Sequence, residues 1–86
     1  MLAVDYSRKF LKSASRLPTR IVQAVTEKEA LFKTTPFHPS LETHKLHGKD
    51  KDAWAFSITR KYRIKFLFLS PNRALFIDIS THDLYQ

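Results

Sequence analysis

In WAFSITRKYRIKFLFLSPNRALFIDIS, Trp54 to Ser80, bulky apolar side chains fall on every second position. Trp54, Phe56 and Ile58 alternate with Ala55, Ser57 and Thr59, and Tyr62, Ile64, Phe66 and Phe68 alternate with Arg63, Lys65 and Leu67. Leu75, Ile77 and Ile79 alternate in the same way with Phe76, Asp78 and Ser80. A period of two is the signature of strands with one buried face. Thr59-Arg60-Lys61 and Ser70-Pro71-Asn72-Arg73 are short enough for tight connections, so the economical arrangement is an antiparallel meander.

Working outward to the N-terminal half, the period changes. Leu2 to Tyr6 suits a short first strand. Ser7 is placed to cap a helix that carries Phe10, Leu11, Ala14 and Leu17 on one stripe. Leu17-Pro18-Thr19 ends that helix, and proline also suits the first turn of a second one, in which Ile21, Val22, Val25, Leu31 and Phe32 recur at helical spacing until Pro36. Two helices so closely joined form a hairpin. The expected fold is therefore α+β: a helical hairpin packed on one face of a small, mainly antiparallel four-stranded sheet, with residues 1–86 as a single domain.

Composition agrees. Eighty-six residues support one core, and 43% hydrophobic, 13% aromatic and 27% charged residues describe a folded chain with dense aromatic packing. There is no cysteine, which removes disulfides and thiolate metal sites and fits a reducing cytoplasm. MLAVDYSRKF has no basic segment leading an apolar run, and FLFL is far too short to span a bilayer, so a cytoplasmic protein without membrane contact is expected. Fifteen Lys and Arg against eight Asp and Glu give a net charge of +7, a field that attracts polyanions.

With helices on one face of the sheet, the other is expected to display Ser57, Arg63, Lys65, Asp78 and Ser80, flanked by the loop from Pro36 to Asp52. That loop holds the only glycine, three of the four histidines (His38, His44, His47) and the basic residues Lys45, Lys49 and Lys51. Loops of this length in small domains are commonly functional. His44 and His47 stand three apart, but with His38 and Asp50 they form no recognised ligand spacing, so no metal and no cofactor is expected. Arg63 alternates with apolar neighbours and so points away from the helices; its fork suits a phosphate.

In sequence order, FLKSASRLP, PFHPSLETHKLHGKDKDAWAFSI, KYRIKFLF and IDISTHDLY resemble the RelE/StbE family of type II toxin–antitoxin toxins, members of the RelE/ParE superfamily, and most closely its YafQ-like branch. The resemblance spans nearly the whole chain. It implies an mRNA interferase: a ribosome-dependent endoribonuclease that cleaves without a metal, through the RNA 2′-hydroxyl. It implies as partners a cognate antitoxin, the ribosome and mRNA, with operator DNA met only through the antitoxin. Transferred onto matching positions, His44 in THKLHG and His82 in STHDLY become the acid–base pair, and Arg63 in KYRI meets the scissile phosphate. Tyr85 near the C-terminus positions the substrate. Lys45, Lys49, Lys51, Arg60, Lys61 and Lys65 supply cations for RNA.

Two positions depart from that pattern. The YafQ-like branch has a histidine and then an aspartate in the strand after the loop, where this chain has Ser57 and Lys61. Two alternatives therefore stand beside the nuclease. One is a ParE-like inhibitor of DNA gyrase on the same fold; the other is a catalytically lapsed member that binds its antitoxin. Read without the resemblance, His82 also fits a turn histidine bonded to Asp83 or the Thr81 backbone, and Tyr85 a chain end.

Overall fold

Ser7 is the joint on which the architecture turns. Its side chain accepts from the Phe10 amide at 2.9 Å and caps helix α1 (Arg8–Ala14), while its hydroxyl donates to the Ile77 carbonyl at 2.5 Å, so the cap also fastens the helix to the sheet. A computed structural model describes residues 1–81. Strand β1 (Ala3–Tyr6) precedes α1, and α2 (Thr19–Thr34) follows it after Pro18. Two 3₁₀ turns, Pro39–Leu41 and Gly48–Asp50, flank the two-residue strand β2 (His44–Lys45). The meander β3 (Trp54–Ser57), β4 (Tyr62–Ser70) and β5 (Arg73–Thr81) completes the chain.

The sheet has five strands in the order β1-β5-β4-β3-β2, with β1 parallel to β5 and the other pairs antiparallel. The expected helical hairpin and meander are present. The extra strand is β2, too short for any periodicity to announce. The parallel edge arises because α1 and α2 carry the chain across one face before it returns through the meander.

Phenylalanines dominate the core. Phe32 of α2 is fully buried, stacked on Phe56 at 4.6 Å and edge-on to Phe66 and Phe76 at 4.8 and 5.5 Å. Phe10, Ile21 and Val25 seat the helices over Ile64, Phe66, Phe76 and Ile79, and Trp54 and Tyr62 pack against this cluster as their alternation predicts.

One phase expectation fails in β5. Lys65 pairs with Asp78 but Phe66 pairs with Phe76, so a bulge leaves Ile77 out of the ladder. Ala74 and Phe76 are buried before it and Ile79 after it, in place of the uniform run Leu75, Ile77, Ile79. Asp78 is consequently not a group on the open face. It turns to α1, accepting from Ser13 Oγ at 2.8 Å, with Lys9 Nζ at 3.5 Å.

Nor is that second face wholly bare. Leu46 and Ala53 fold over Ala55 and Leu67 as a small separate cluster, so the loop roofs the part of the sheet near β2. Among the described residues no helix is long and apolar enough to cross a membrane.

Candidate active site

Alternation and register assemble the site. His44 pairs with Ala55, which pairs with Lys65; in the next row Ser57 pairs with Arg63, and Arg63 with Ser80. Side chains at paired positions share a face, so His44, Ser57, Arg63 and Lys65 all lie on the side of the sheet away from the helices. Arg63 and His44 are diagonal neighbours two strands apart, on the order of 10 Å between backbones and within reach of one nucleotide.

Among the described residues Arg63 is the buried cation. It is only 9% exposed, and its Nη1 donates to the Thr59 and Arg60 carbonyls at 2.8 and 3.2 Å. These bonds brace the turn between β3 and β4 and orient the guanidinium plane. Nη2 stands 4.0 Å from Oε1 of Glu42. The Tyr62 carbonyl, 3.4 Å from Nη1, is a third acceptor, and the guanidinium N–H groups that these carbonyls do not use are donors suited to an anion.

Glu42 is the residue that sequence reasoning missed. Its backbone is left-handed, φ 49° and ψ 40°, a conformation costly for a side chain with a Cβ and worth noting where it occurs beside charged groups. That twist does two things. It sends the carboxylate across the sheet, where Oε1 accepts from the buried Ser57 hydroxyl at 3.0 Å, and it aims the Glu42 carbonyl at Nδ1 of His44, 2.9 Å away. A carbonyl oxygen only accepts, so Nδ1 of the exposed His44 ring carries the proton, and in the neutral form of the ring the lone pair is on Nε2. Glutamate gives no sequence signal of a positive φ, which is why the residue was not singled out.

The other expected cations separate. Lys65 Nζ bonds Asp50 Oδ1 at 2.5 Å and ties down the second 3₁₀ turn, on which Lys49 and Lys51 are exposed. Lys45 pairs with Trp54 and therefore lies on the opposite face from His44. Arg60 is exposed on the braced turn, while Lys61 reaches back over the Tyr62 ring, 5.8 Å from its centroid. His38 caps the first 3₁₀ turn by accepting from the Ser40 amide. His82 and Tyr85 lie outside the described residues; the described chain ends at Thr81, which pairs with Tyr62. Among the described residues no three His, Asp or Glu gather closely enough to hold a metal ion.

No protein-family model and no curated protein matches the chain. Solved structures do. A YoeB/ParE toxin from Agrobacterium tumefaciens is 21% identical, with a TM-score of 0.76 over 95% of this chain and 99% of that one. YafQ from E. coli is 15% identical at a TM-score of 0.78, covering 98% and 97% of the two chains. The archaeal RelE–RelB complex from Pyrococcus horikoshii gives 14% identity, 93% coverage of both chains and a TM-score of 0.74. With two helices on one face of a five-stranded sheet, the chain has the fold of the RelE, YoeB/ParE and YafQ toxins.

Proposed function

We propose that the protein is the toxin of a type II toxin–antitoxin pair and a ribosome-dependent mRNA endoribonuclease. The observation that carries this reading is the braced, nearly buried Arg63 guanidinium on the same face of the sheet as His44, whose Nδ1 is engaged by the Glu42 carbonyl. In the proposed step the RNA 2′-oxygen attacks the adjacent phosphorus. Its proton passes to Nε2 of His44, and Arg63 neutralises the charge that grows on the equatorial phosphoryl oxygens. The P–O5′ bond then breaks, and the departing 5′-oxygen takes a proton from His82. Tyr85 positions the base beside the scissile bond.

Glu42 is a second proton acceptor on this face. The proposal gives the proton to His44 because Oε1 of Glu42 already accepts from Ser57 and faces Arg63. Its role is to hold the guanidinium toward the open face. Ser57, which stands where the YafQ-like pattern has a histidine, thus becomes a buried strut for Glu42 and no evidence of lost chemistry.

The cognate antitoxin is proposed to be an acidic protein, drawn by the +7 charge of this chain. The E. coli DinJ–YafQ structure, one chain of which shares the fold at a TM-score of 0.76, is a toxin–antitoxin complex. Expression of the wild type and of His44→Ala in a bacterial host tests the reading. Growth arrest with mRNA decay, relieved in the variant, is expected; relaxed plasmid with intact transcripts points to gyrase inhibition, and no effect beyond antitoxin binding to a lapsed member.

A further inference from the structure

On the helix side of the braced turn lies a cavity of about 330 Å³, lined by Pro18, Arg20, Ile21, Thr59, Lys61 and Tyr62. It sits where the joint between α1 and α2 meets the turn between β3 and β4. Resting on the nuclease reading above, we propose that this cavity is a subsite for a second nucleotide of the same RNA strand, next to the one whose phosphate meets Arg63.

Three features of the cavity support a nucleotide. Its volume is at the lower end of small-ligand pockets, the size of one nucleotide unit and not of two. Its walls divide by chemistry: Pro18, Ile21 and the edge of the Tyr62 ring form an apolar lining for a base, while Arg20 and Lys61, the latter with Nζ over that ring, place two cations at the same site, neither in a salt bridge among the described residues. A cationic groove with an aromatic platform is the combination by which single strands are held without regard to sequence. The surroundings reinforce it, because the twenty residues from Ser7 to Thr26 carry Arg8, Lys9, Lys12, Arg16 and Arg20 and no acidic residue at all.

The turn links the cavity to the site. Thr59 and Lys61 wall the cavity from one side, and the Thr59 and Arg60 carbonyls receive Arg63 Nη1 from the other. A strand with its phosphate on Arg63 needs only to cross this turn, past the exposed Arg60, to place its neighbour between Arg20 and Lys61. The brace thereby fixes the spacing between the two subsites.

Fluorescence anisotropy with two 2′-fluoro probes, a 3′-phosphorylated mononucleotide and a hexamer, which lack the attacking hydroxyl and stay intact, tests this. Arg20→Ala is expected to weaken the hexamer about tenfold and leave the mononucleotide unchanged, as Tyr62→Leu should too, whereas Arg63→Ala weakens both. Arg20 is exposed, so its variant carries the test even where Tyr62→Leu fails to fold. If Arg20→Ala leaves the hexamer untouched while Arg63→Ala weakens it, the subsite is wrong and the nuclease reading survives. Equal weakening of both lengths by Arg20→Ala means a diffuse field and also overturns the subsite. Weakened binding of a labelled acidic peptide with unchanged hexamer binding reassigns the cavity to a protein partner, and a wild type that binds neither probe overturns the subsite while the ribosome-dependent cleavage assay still decides the nuclease reading.

Discussion

The two faces of this sheet are made from the same three strands and obey opposite rules. On the helix side Phe56, Phe66 and Phe76 close around Phe32 and leave no polar atom to satisfy. On the other, Ser57 and Arg63 are also buried, and directional hydrogen bonds to Glu42, Thr59 and Arg60 hold them. Packing holds the first face by area, which tolerates small shifts. The second depends on a handful of hydrogen bonds, which fix where one guanidinium points. A mutation on the first should therefore cost the fold, and one on the second the chemistry.

The largest expected effect breaks the packed face. Phe32→Ala empties the centre of the aromatic cluster and should destabilise by about 3–5 kcal/mol, a large share of the ~5–15 kcal/mol of a typical domain. Urea unfolding measures this; a loss below 1 kcal/mol would show that the core is not centred there.

The converse experiment is Arg63→Lys. It keeps the charge but cannot make the forked contact with the Thr59 and Arg60 carbonyls and a phosphate together. RNA cleavage should fall by about 10²–10³, with Tm lowered far less than by Phe32→Ala. A variant that loses stability as severely as activity would erase the distinction between the faces.

Ser57→Ala sharpens the comparison. Freed from the hydroxyl at 3.0 Å, Glu42 no longer holds its place beside Arg63. Stability should change by about 1 kcal/mol or less because Glu42 is largely exposed, while cleavage falls roughly tenfold. Ser57→Thr, which retains the hydroxyl, should restore most of the activity.

Much of this difference was legible in the sequence, and its gaps have physical causes. The capping Ser7, the helix break at Pro18 and the period-two runs fix which groups are packed, because burial imposes periodicity on every residue it touches. Arg63 could be aimed from alternation alone. The bulge at Ile77 could not, since an extra residue in a ladder leaves no mark when both neighbours are apolar, and Asp78 was misdirected as a result. Glu42 was missed because its place depends on one backbone angle that its side chain does not advertise. Lys65 and Lys45 were counted as RNA contacts from charge alone. Register then showed one engaged with Asp50 and the other on the opposite face from His44.

The smallest expected effect lies at the edge, away from both faces. Burial, and then the hydrogen bond from Tyr6 to Glu29, push the Tyr6 phenol from 10.0 up to about 12. The folded state thus keeps a proton that the unfolded chain releases. The associated stability is complete below pH 10 and is lost as pH rises from 10 to 12. Alkaline unfolding of Tyr6→Phe should show a shallower fall over that interval; an identical slope would mean that the pair contributes nothing.

The central claim is that the open face does 2′-hydroxyl chemistry on mRNA. It is tested most directly by incubating the purified protein with mRNA and ribosomes and identifying the new ends. The account predicts fragments ending in a 2′,3′-cyclic phosphate, formed only with ribosomes present and absent with His44→Ala. Fragments ending in a 3′-hydroxyl, or intact mRNA with active, folded protein, would contradict it.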